Sequence, residues 1–336
     1  MTETLIDLPK TLSISEARRR MNELGRLGQA FFFLFDFELE KLVVLAKKEW
    51  GSTSLWWEMN GRRNFKYPNR RPLNTPISIQ PQPIASNTYR TAFEIVQREI
   101  NWGNSYLLNL TFPTKIAINT SLSSIFLSSR AKYKLFLPNQ LVVFSPETFV
   151  KIVEGQIQSF PMKGTIDAAL PNAKKIILGD KKEQAEHATI VDLIRNDLNL
   201  VASNVTVERF RYVEKIRSMQ KNLLQVSSKI TGQLPVDYQK KIGDILLKLL
   251  PAGSISGAPK QKTVEIIRAA EGQSRGYYTG IMGYFDGQNL DSGVLIRYIE
   301  QRGQQYFYRS GGGITTFSQW EKEYQELLDK IYVPIY

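Results

Sequence analysis

The 336-residue chain has no cysteine and a single histidine, His187. Without thiols, disulfides, thiolate metal centres and cysteine nucleophiles are excluded, and nothing calls for an oxidising compartment. One imidazole also excludes a multi-histidine metal centre. A Ser-His-Asp triad would have to run through His187, and the Gly-x-Ser-x-Gly turn that would support one is absent. Long apolar runs are missing as well. The longest, residues 30–35 (Ala-Phe-Phe-Phe-Leu-Phe), is far too short to span a bilayer and leads into Asp36, Glu38 and Glu40. It also lies too far from the start for a signal peptide, and Met1 leads into Glu3 and Asp7 rather than basic residues. These absences lead to the expectation of a soluble cytoplasmic protein without membrane contact.

What is present suits a globular chain with a substantial core: 42% hydrophobic and 11% aromatic residues, enough for one large domain or two modest ones. Lys and Arg number 44 against 32 Asp and Glu, a net charge of +12, which suits an anionic partner. The basic runs (Arg18, Arg19 and Arg20; Lys174 and Lys175; Lys181 and Lys182) are short and dispersed. A nucleic-acid surface predicts clustered cations interleaved with aromatics. The motifs here are glutamates and glycines instead, so a small polyanionic substrate is expected and a nucleic-acid partner is not.

Ser13, Ile14, Ser15 and Glu16 form a capping-box pattern that predicts a helix to about Gly25. Residues 31–45 read as a buried strand or hairpin, and residues 50–85, rich in Asn, Pro and Arg, as a connection. Tyr89, Phe93, Val96 and Ile100 recur at helical spacing, with Gly103 as the stop. Strands are expected at 105–118, 140–153 and 156–162, then a long helix over 173–199. Further strands at 204–213 and 221–231 precede a helix near 236–249. A Gly-rich loop at 251–259 feeds a helix with Val264, Ile267 and Ala270 inward. Strands at 277–285 and 289–301 flank the turn Asp286-Gly287. A short strand ends at Gly311, Gly312 and Gly313, and a last helix covers 317–331. Strands outnumber helices and many neighbours look antiparallel, which argues for an α+β fold with helices covering large sheets.

Four features carry chemistry. Lys163, in Ser159-Phe160-Pro161-Met162-Lys163-Gly164-Thr165, stands where an apolar strand-like run ends in a Gly-Thr turn. A lysine ordinarily titrates near about 10.4, so nucleophilic attack near neutral pH needs a partly desolvated pocket. Glu183 and Glu186 are three apart on one helix, and Glu323 and Glu326 on another, so each pair shares a helix face. If the two faces met across a cleft, a hard divalent cation such as Mg²⁺ would relieve the repulsion. The loop at 251–260 resembles a phosphate cradle but is no Walker loop, because Pro259 precedes Lys260 and Gln261 follows it. Its backbone N–H groups, like those near Gly311, Gly312 and Gly313, can approach a carboxylate closely. Arg297 sits in an apolar run expected to be a strand, so it needs an anion: a structural carboxylate or a substrate. Tyr278 is a plausible neighbour.

Taken in order, these segments resemble the chorismate-utilising enzymes. The matching stretches are Ser105-Tyr106-Leu107-Leu108-Asn109-Leu110-Thr111, the Pro-Met-Lys-Gly-Thr turn at 161–165, Ala185-Glu186-His187 and Ile190-Val191-Asp192-Leu193-Ile194-Arg195-Asn196-Asp197-Leu198. Gly253-Ser254-Ile255-Ser256-Gly257-Ala258-Pro259-Lys260, Arg275-Gly276-Tyr277-Tyr278-Thr279-Gly280 and Glu323-Tyr324-Gln325-Glu326 complete the set. The likeness runs from about residue 86 to the end. Residues 1–85 read as a shortened N-terminal segment packed on the same body as a chorismate-binding catalytic domain at 86–336. The resemblance implies two large, orthogonally packed, mostly antiparallel sheets with helices outside. It implies Mg²⁺ with Glu186 and Glu326 as direct ligands and Glu183 and Glu323 acting through water. It places Gly164, Thr165, Ser254, Tyr278, Arg297, Gly312 and Gly313 around the substrate, chorismate. Lysine before Gly-Thr points to the component I branch of the aminodeoxychorismate synthases, since anthranilate synthases and relatives usually carry alanine there. That branch implies a covalent role for Lys163 in 4-aminobenzoate and folate synthesis, with ammonia from a separate glutaminase subunit. Anthranilate or isochorismate synthesis is the alternative on the same scaffold. Relatives often carry a histidine where this chain has Leu224-Gln225-Val226. Gln225 cannot titrate, so the identity of the general acid stays open.

Overall fold

A computed structural model describes residues 8–68, 76–216 and 222–335, apart from the side chains of Lys182 and Ile216. Residues 69–75 of the expected connection and Lys221, the expected start of a strand, lie outside the described residues. Two antiparallel sheets, each of nine strands among the described residues, form the body. Helices cover them, as the resemblance implies.

The run at 30–35 explains why the sheets stack. Phe31–Phe35 is buried at all five positions. Phe31, Phe33 and Phe35 join the core under the helices, while Phe32 and Leu34 point into a second core shared with the other sheet. There Phe32 stacks on Trp57 with ring centroids 5.3 Å apart. A strand buried on both faces reads as continuously apolar rather than alternating. Each such side chain stabilises the fold by about 2 kcal/mol.

The first sheet runs in the order Met162–Asp167, Leu223–Gln233, Gln156–Ser159, Thr148–Val153, Leu290–Val294, Ile281–Phe285, Phe31–Phe35 and Leu42–Ala46. Ser203–Ile216 pairs with Leu223–Gln233. The second runs Gly257–Ala258, Leu107–Ile118, Gln305–Ile314, Tyr298–Arg302, Leu141–Ser145, Tyr133–Leu137, Trp56–Met59 and Arg62–Arg63, with Ile79–Gln82 beside Leu107–Ile118. Both sheets therefore take strands from residues before 86.

Several expected elements are corrected. The strand at 140–153 is two, Leu141–Ser145 and Thr148–Val153, and they lie in different sheets. Pro146 has no N–H for a ladder, so the pairing stops there. The strand at 289–301 likewise splits into Leu290–Val294 and Tyr298–Arg302, again one in each sheet. Arg297 lies in that break with φ +54° rather than in a strand. Tyr278 lies in the turn before Ile281–Phe285. The helix at 173–199 breaks into Ala173–Gly179 and Lys181–Asn199, the second capped by Asp180. The glycines at 311–313 lie inside the strand Gln305–Ile314 rather than ending a short one. The connection at 50–85 contributes the strands Trp56–Met59, Arg62–Arg63 and Ile79–Gln82. The helix Leu122–Ser128 and strand Tyr133–Leu137 fall in a stretch where sequence patterning predicts no element. Among the described residues no helix is long and apolar enough to cross a membrane.

Candidate active site

Lys163 is in register with Val226, and the ladder slips between Lys163 and Thr165. Gly164 sits at the slip with φ +70°, a conformation that glycine adopts without a Cβ penalty. A Cβ there would lie 3.1 Å from Glu183 Oε2, so this glycine also lets the carboxylate come close. The Lys163 ammonium is 3.8 Å from Glu186 Oε2, with the two side chains 24% and 11% exposed. Thr165, beyond the slip and opposite Gln225, is exposed.

Glu183 lies in the first turn of Lys181–Asn199, where its N–H donates to the Asp180 cap. Glu323 and Glu326 lie on Trp320–Asp329 and both point at Gly312. A Cβ on Gly312 would stand 3.1 Å from Glu326 Oε1 and 3.3 Å from Glu323 Oε2. A Cβ on neighbouring Gly313 would stand 3.3 Å from Lys163 Nζ. Contacts therefore run from Glu186 through Lys163 and the two glycines to Glu323 and Glu326. Any side chain at 312 would fill the cradle where the last two carboxylates converge. Buried Tyr89 registers the same field: its hydroxyl has no hydrogen-bond partner, and burial, then Glu323 and Glu326, push its pKa up.

Among the described residues no three His, Asp or Glu side chains are arranged to hold a metal ion. Glu183 and Glu186 stand on the Lys163–Gly164 side and Glu323 and Glu326 on the Gly312 side, with Gly313 beside Lys163. Their donors are all oxygen, and the glycine cradle stays empty of side-chain atoms. In donor chemistry the set fits a hard divalent cation.

Sequence reasoning missed two neighbours. Glu147 lies in the break between sheets that follows Pro146. It accepts from Ser254 Oγ at 2.7 Å, so Ser254 is committed to this carboxyl. Burial pushes the Glu147 carboxyl up, against Ser254 and the positive charges of Lys163, Arg297 and Lys330. A carboxyl whose pKa is raised by burial keeps its proton to higher pH than an exposed one and is a candidate general acid. The legible signal was Pro146, which ends a strand and leaves the next residue outside the ladder. Lys330, one helical turn after Glu326, donates to Glu326 Oε1 at 2.5 Å and to the Gly311 carbonyl at 2.7 Å.

Arg297 is half-buried, and among the described residues it forms no ion pair. Its Nε has no hydrogen-bond partner. Its electrostatic neighbours include Tyr278, Tyr308 and Tyr332. Tyr278 is buried, which raises its pKa to about 12 against the opposing pull of Arg275, Arg309 and Arg297. An arginine with no ion-pair partner among the described residues keeps its capacity to pair with a carboxylate.

His187 is buried, with Nε2 2.6 Å from Ser228 Oγ and Nδ1 without a partner. Among the described residues no carboxylate hydrogen-bonds the ring, so they form no triad there. Burial first, then Arg211 and Lys163, lower its pKa to about 4 and keep it neutral. Gln225 donates to Met162 Sδ at 2.8 Å and sits 3.4 Å from Ser227 Oγ.

A family model described as chorismate binding enzyme matches residues 13–335. An uncharacterized PabA-like protein of Pasteurella multocida is 49% identical over 324 residues, which is 96% of this chain and 100% of the relative. Component 1 of aminodeoxychorismate synthase from Escherichia coli is 34% identical over 260 residues, 72% of this chain and 56% of the relative. The solved structure of the menaquinone-specific isochorismate synthase from Escherichia coli shares the fold, with a TM-score of 0.72 at 17% identity over 96% of this chain and 82% of that one.

Proposed function

The chain belongs to the chorismate-binding enzymes, and we propose that it is component I of an aminodeoxychorismate synthase, converting chorismate and ammonia to 4-amino-4-deoxychorismate for 4-aminobenzoate and folate synthesis. The observation that carries the reading is Lys163, an amine 3.8 Å from Glu186 and beside Gly313, within the field of the Glu147 carboxyl. A relative bearing this activity by name is 34% identical.

Chorismate is a dianion. Arg297, with Tyr278 and the Gly312–Gly313 backbone, takes the side-chain carboxylate. Glu183, Glu186, Glu323 and Glu326 would hold Mg²⁺, which when bound neutralises the ring carboxylate and acts as a Lewis acid. Lys163 as the free amine adds to ring C2 as the C4 hydroxyl departs, and Glu147 gives that hydroxyl the proton that makes it water. Ammonia then adds at C4 and the C2–lysine bond breaks, returning the amine. The ammonium formed at C4 restores the proton to Glu147. Net, chorismate and ammonia give the amino product and water. Two easier displacements replace one hard one.

These 336 residues contain no cysteine, the usual glutaminase nucleophile, and the reading takes its ammonia from a separate glutaminase subunit. Anthranilate or isochorismate synthesis is the competing reaction. One assay separates them: incubate the protein with chorismate, Mg²⁺ and an ammonium salt, then add aminodeoxychorismate lyase. Release of 4-aminobenzoate supports the reading, and 2-aminobenzoate formed without the lyase overturns it.

A further inference from the structure

The Arg297 guanidinium has the orientational problem of any long cation without a carboxylate to lock it. The chain supplies an aromatic face instead. The ring centroid of Tyr332 lies 5.0 Å from Arg297 Cζ. Tyr332 is 46% exposed, so it covers the cation from the solvent side.

The backbone beneath that ring is pinned on both sides. The Tyr332 carbonyl accepts from the hydroxyl of fully buried Tyr308 at 2.9 Å. Two residues on, the Pro334 carbonyl accepts from Arg130 N at 2.9 Å, and Ile335 bridges to Ser129. Ile331 and Val333 pack against the cluster of Phe126, Phe144 and Ile299. Two residues before Tyr332, Lys330 grips Glu326 and the Gly311 carbonyl. One short segment thus links the carboxylate-bearing helix to Arg297.

We propose that Tyr332 is a positioning residue: its ring fixes the plane of the Arg297 guanidinium and pre-orients it for the substrate's carboxylate. This rests on the reading of Arg297 as the carboxylate anchor. Pre-orientation lowers the ordering cost of binding and leaves the chemical step alone, so it acts on affinity rather than on turnover.

The test is calorimetric titration of chorismate in the presence of Mg²⁺ into the full chain and into Arg297→Ala, Tyr332→Ala, Tyr332→Phe and the Arg297→Ala/Tyr332→Ala double variant. Tyr332→Ala weakens binding about three- to tenfold, the scale of a cation–π contact at a partly exposed site. Tyr332→Phe keeps the aromatic face and loses only the hydroxyl's interaction with the guanidinium, so its affinity falls between wild type and Tyr332→Ala. In the Arg297→Ala background, Tyr332→Ala adds nothing, because the effect passes through the guanidinium. Turnover at saturating chorismate is unchanged in Tyr332→Ala. Wild-type affinity in Tyr332→Ala, additive penalties, or a fall in turnover at constant affinity each overturn the proposal. Binding indifferent to Arg297→Ala removes the anchor reading and the proposal together, whereas binding that responds to Arg297→Ala but not to Tyr332→Ala removes the proposal alone. If Tyr332→Ala fails to fold, Tyr332→Leu keeps the bulk without the aromatic face and is read the same way.

Discussion

Glu147 and Arg297 occupy the two breaks at which paired strands pass from one sheet to the other, and the breaks are tied together. The Glu147 carbonyl accepts from Val294 N at 3.1 Å, and the Arg297 carbonyl accepts from Phe144 N at 3.0 Å. Leaving a ladder frees a residue from the strict in-and-out alternation of a strand. Arg297 does so in the left-handed region, where a non-glycine residue stores about 1 kcal/mol or more of strain. An acid and a cation are thereby presented from the seam between the sheets.

Glu147 sets the first prediction. Burial raises its pKa, so it is protonated where an exposed glutamate is already ionised. Turnover needs the protonated form; it therefore holds at pH below the raised value and falls as pH climbs through it. Glu147→Gln should lower kcat by about 10²- to 10⁴-fold, the usual worth of a general acid, and erase that alkaline limb. A limb that persists in the glutamine variant places the acid elsewhere.

Lys163→Ala should abolish 4-amination and leave some turnover toward 2-substituted products, because the scaffold still binds chorismate while the covalent partner is gone. Chromatographic product analysis decides it. Undiminished 4-amino product in this variant would refute the covalent role.

Gly312→Ala probes the carboxylate cradle without touching a charge. The new methyl sits 3.1 Å from Glu326 Oε1 and 3.3 Å from Glu323 Oε2, so both carboxylates must give way by a few tenths of an ångström. The Mg²⁺ concentration for half-maximal activity should rise about tenfold or more, in line with disturbed ligand geometry, while the melting temperature hardly moves. Equal Mg²⁺ dependence in variant and wild type would separate the cradle from the metal.

Arg275 tests stability rather than chemistry. Its guanidinium is 1% exposed and pairs with Glu271 at 2.6 Å, while Glu271 also accepts from Thr111 N and Oγ1. Arg275→Met should cost about 3–5 kcal/mol, because Glu271 is left buried and uncompensated. Denaturant unfolding measures it. A loss below about 1 kcal/mol means that the site relaxes or takes up water.

Local patterning alone specified a good deal of this molecule. The capping box at Ser13 and Glu16 forms as read and opens the helix Ile14–Arg26. Tyr89, Phe93, Val96 and Ile100 are buried along Ser86–Asn101. The glutamate pairs share helix faces because spacing within a helix is a local property. Two things were settled only by packing. The stretches around Pro146 and Arg297 look like continuous strands, yet each is cut where the chain changes sheets, since which sheet a strand joins depends on partners far away in sequence. Glu147 became visible as a candidate acid for the same reason: burial by distant segments raises its pKa, against the opposing pull of Ser254, Lys163, Arg297 and Lys330. Periodicity records which face of an element is apolar. It does not record which neighbour that face meets, and desolvation, the quantity that sets a carboxyl's charge, comes from the neighbours.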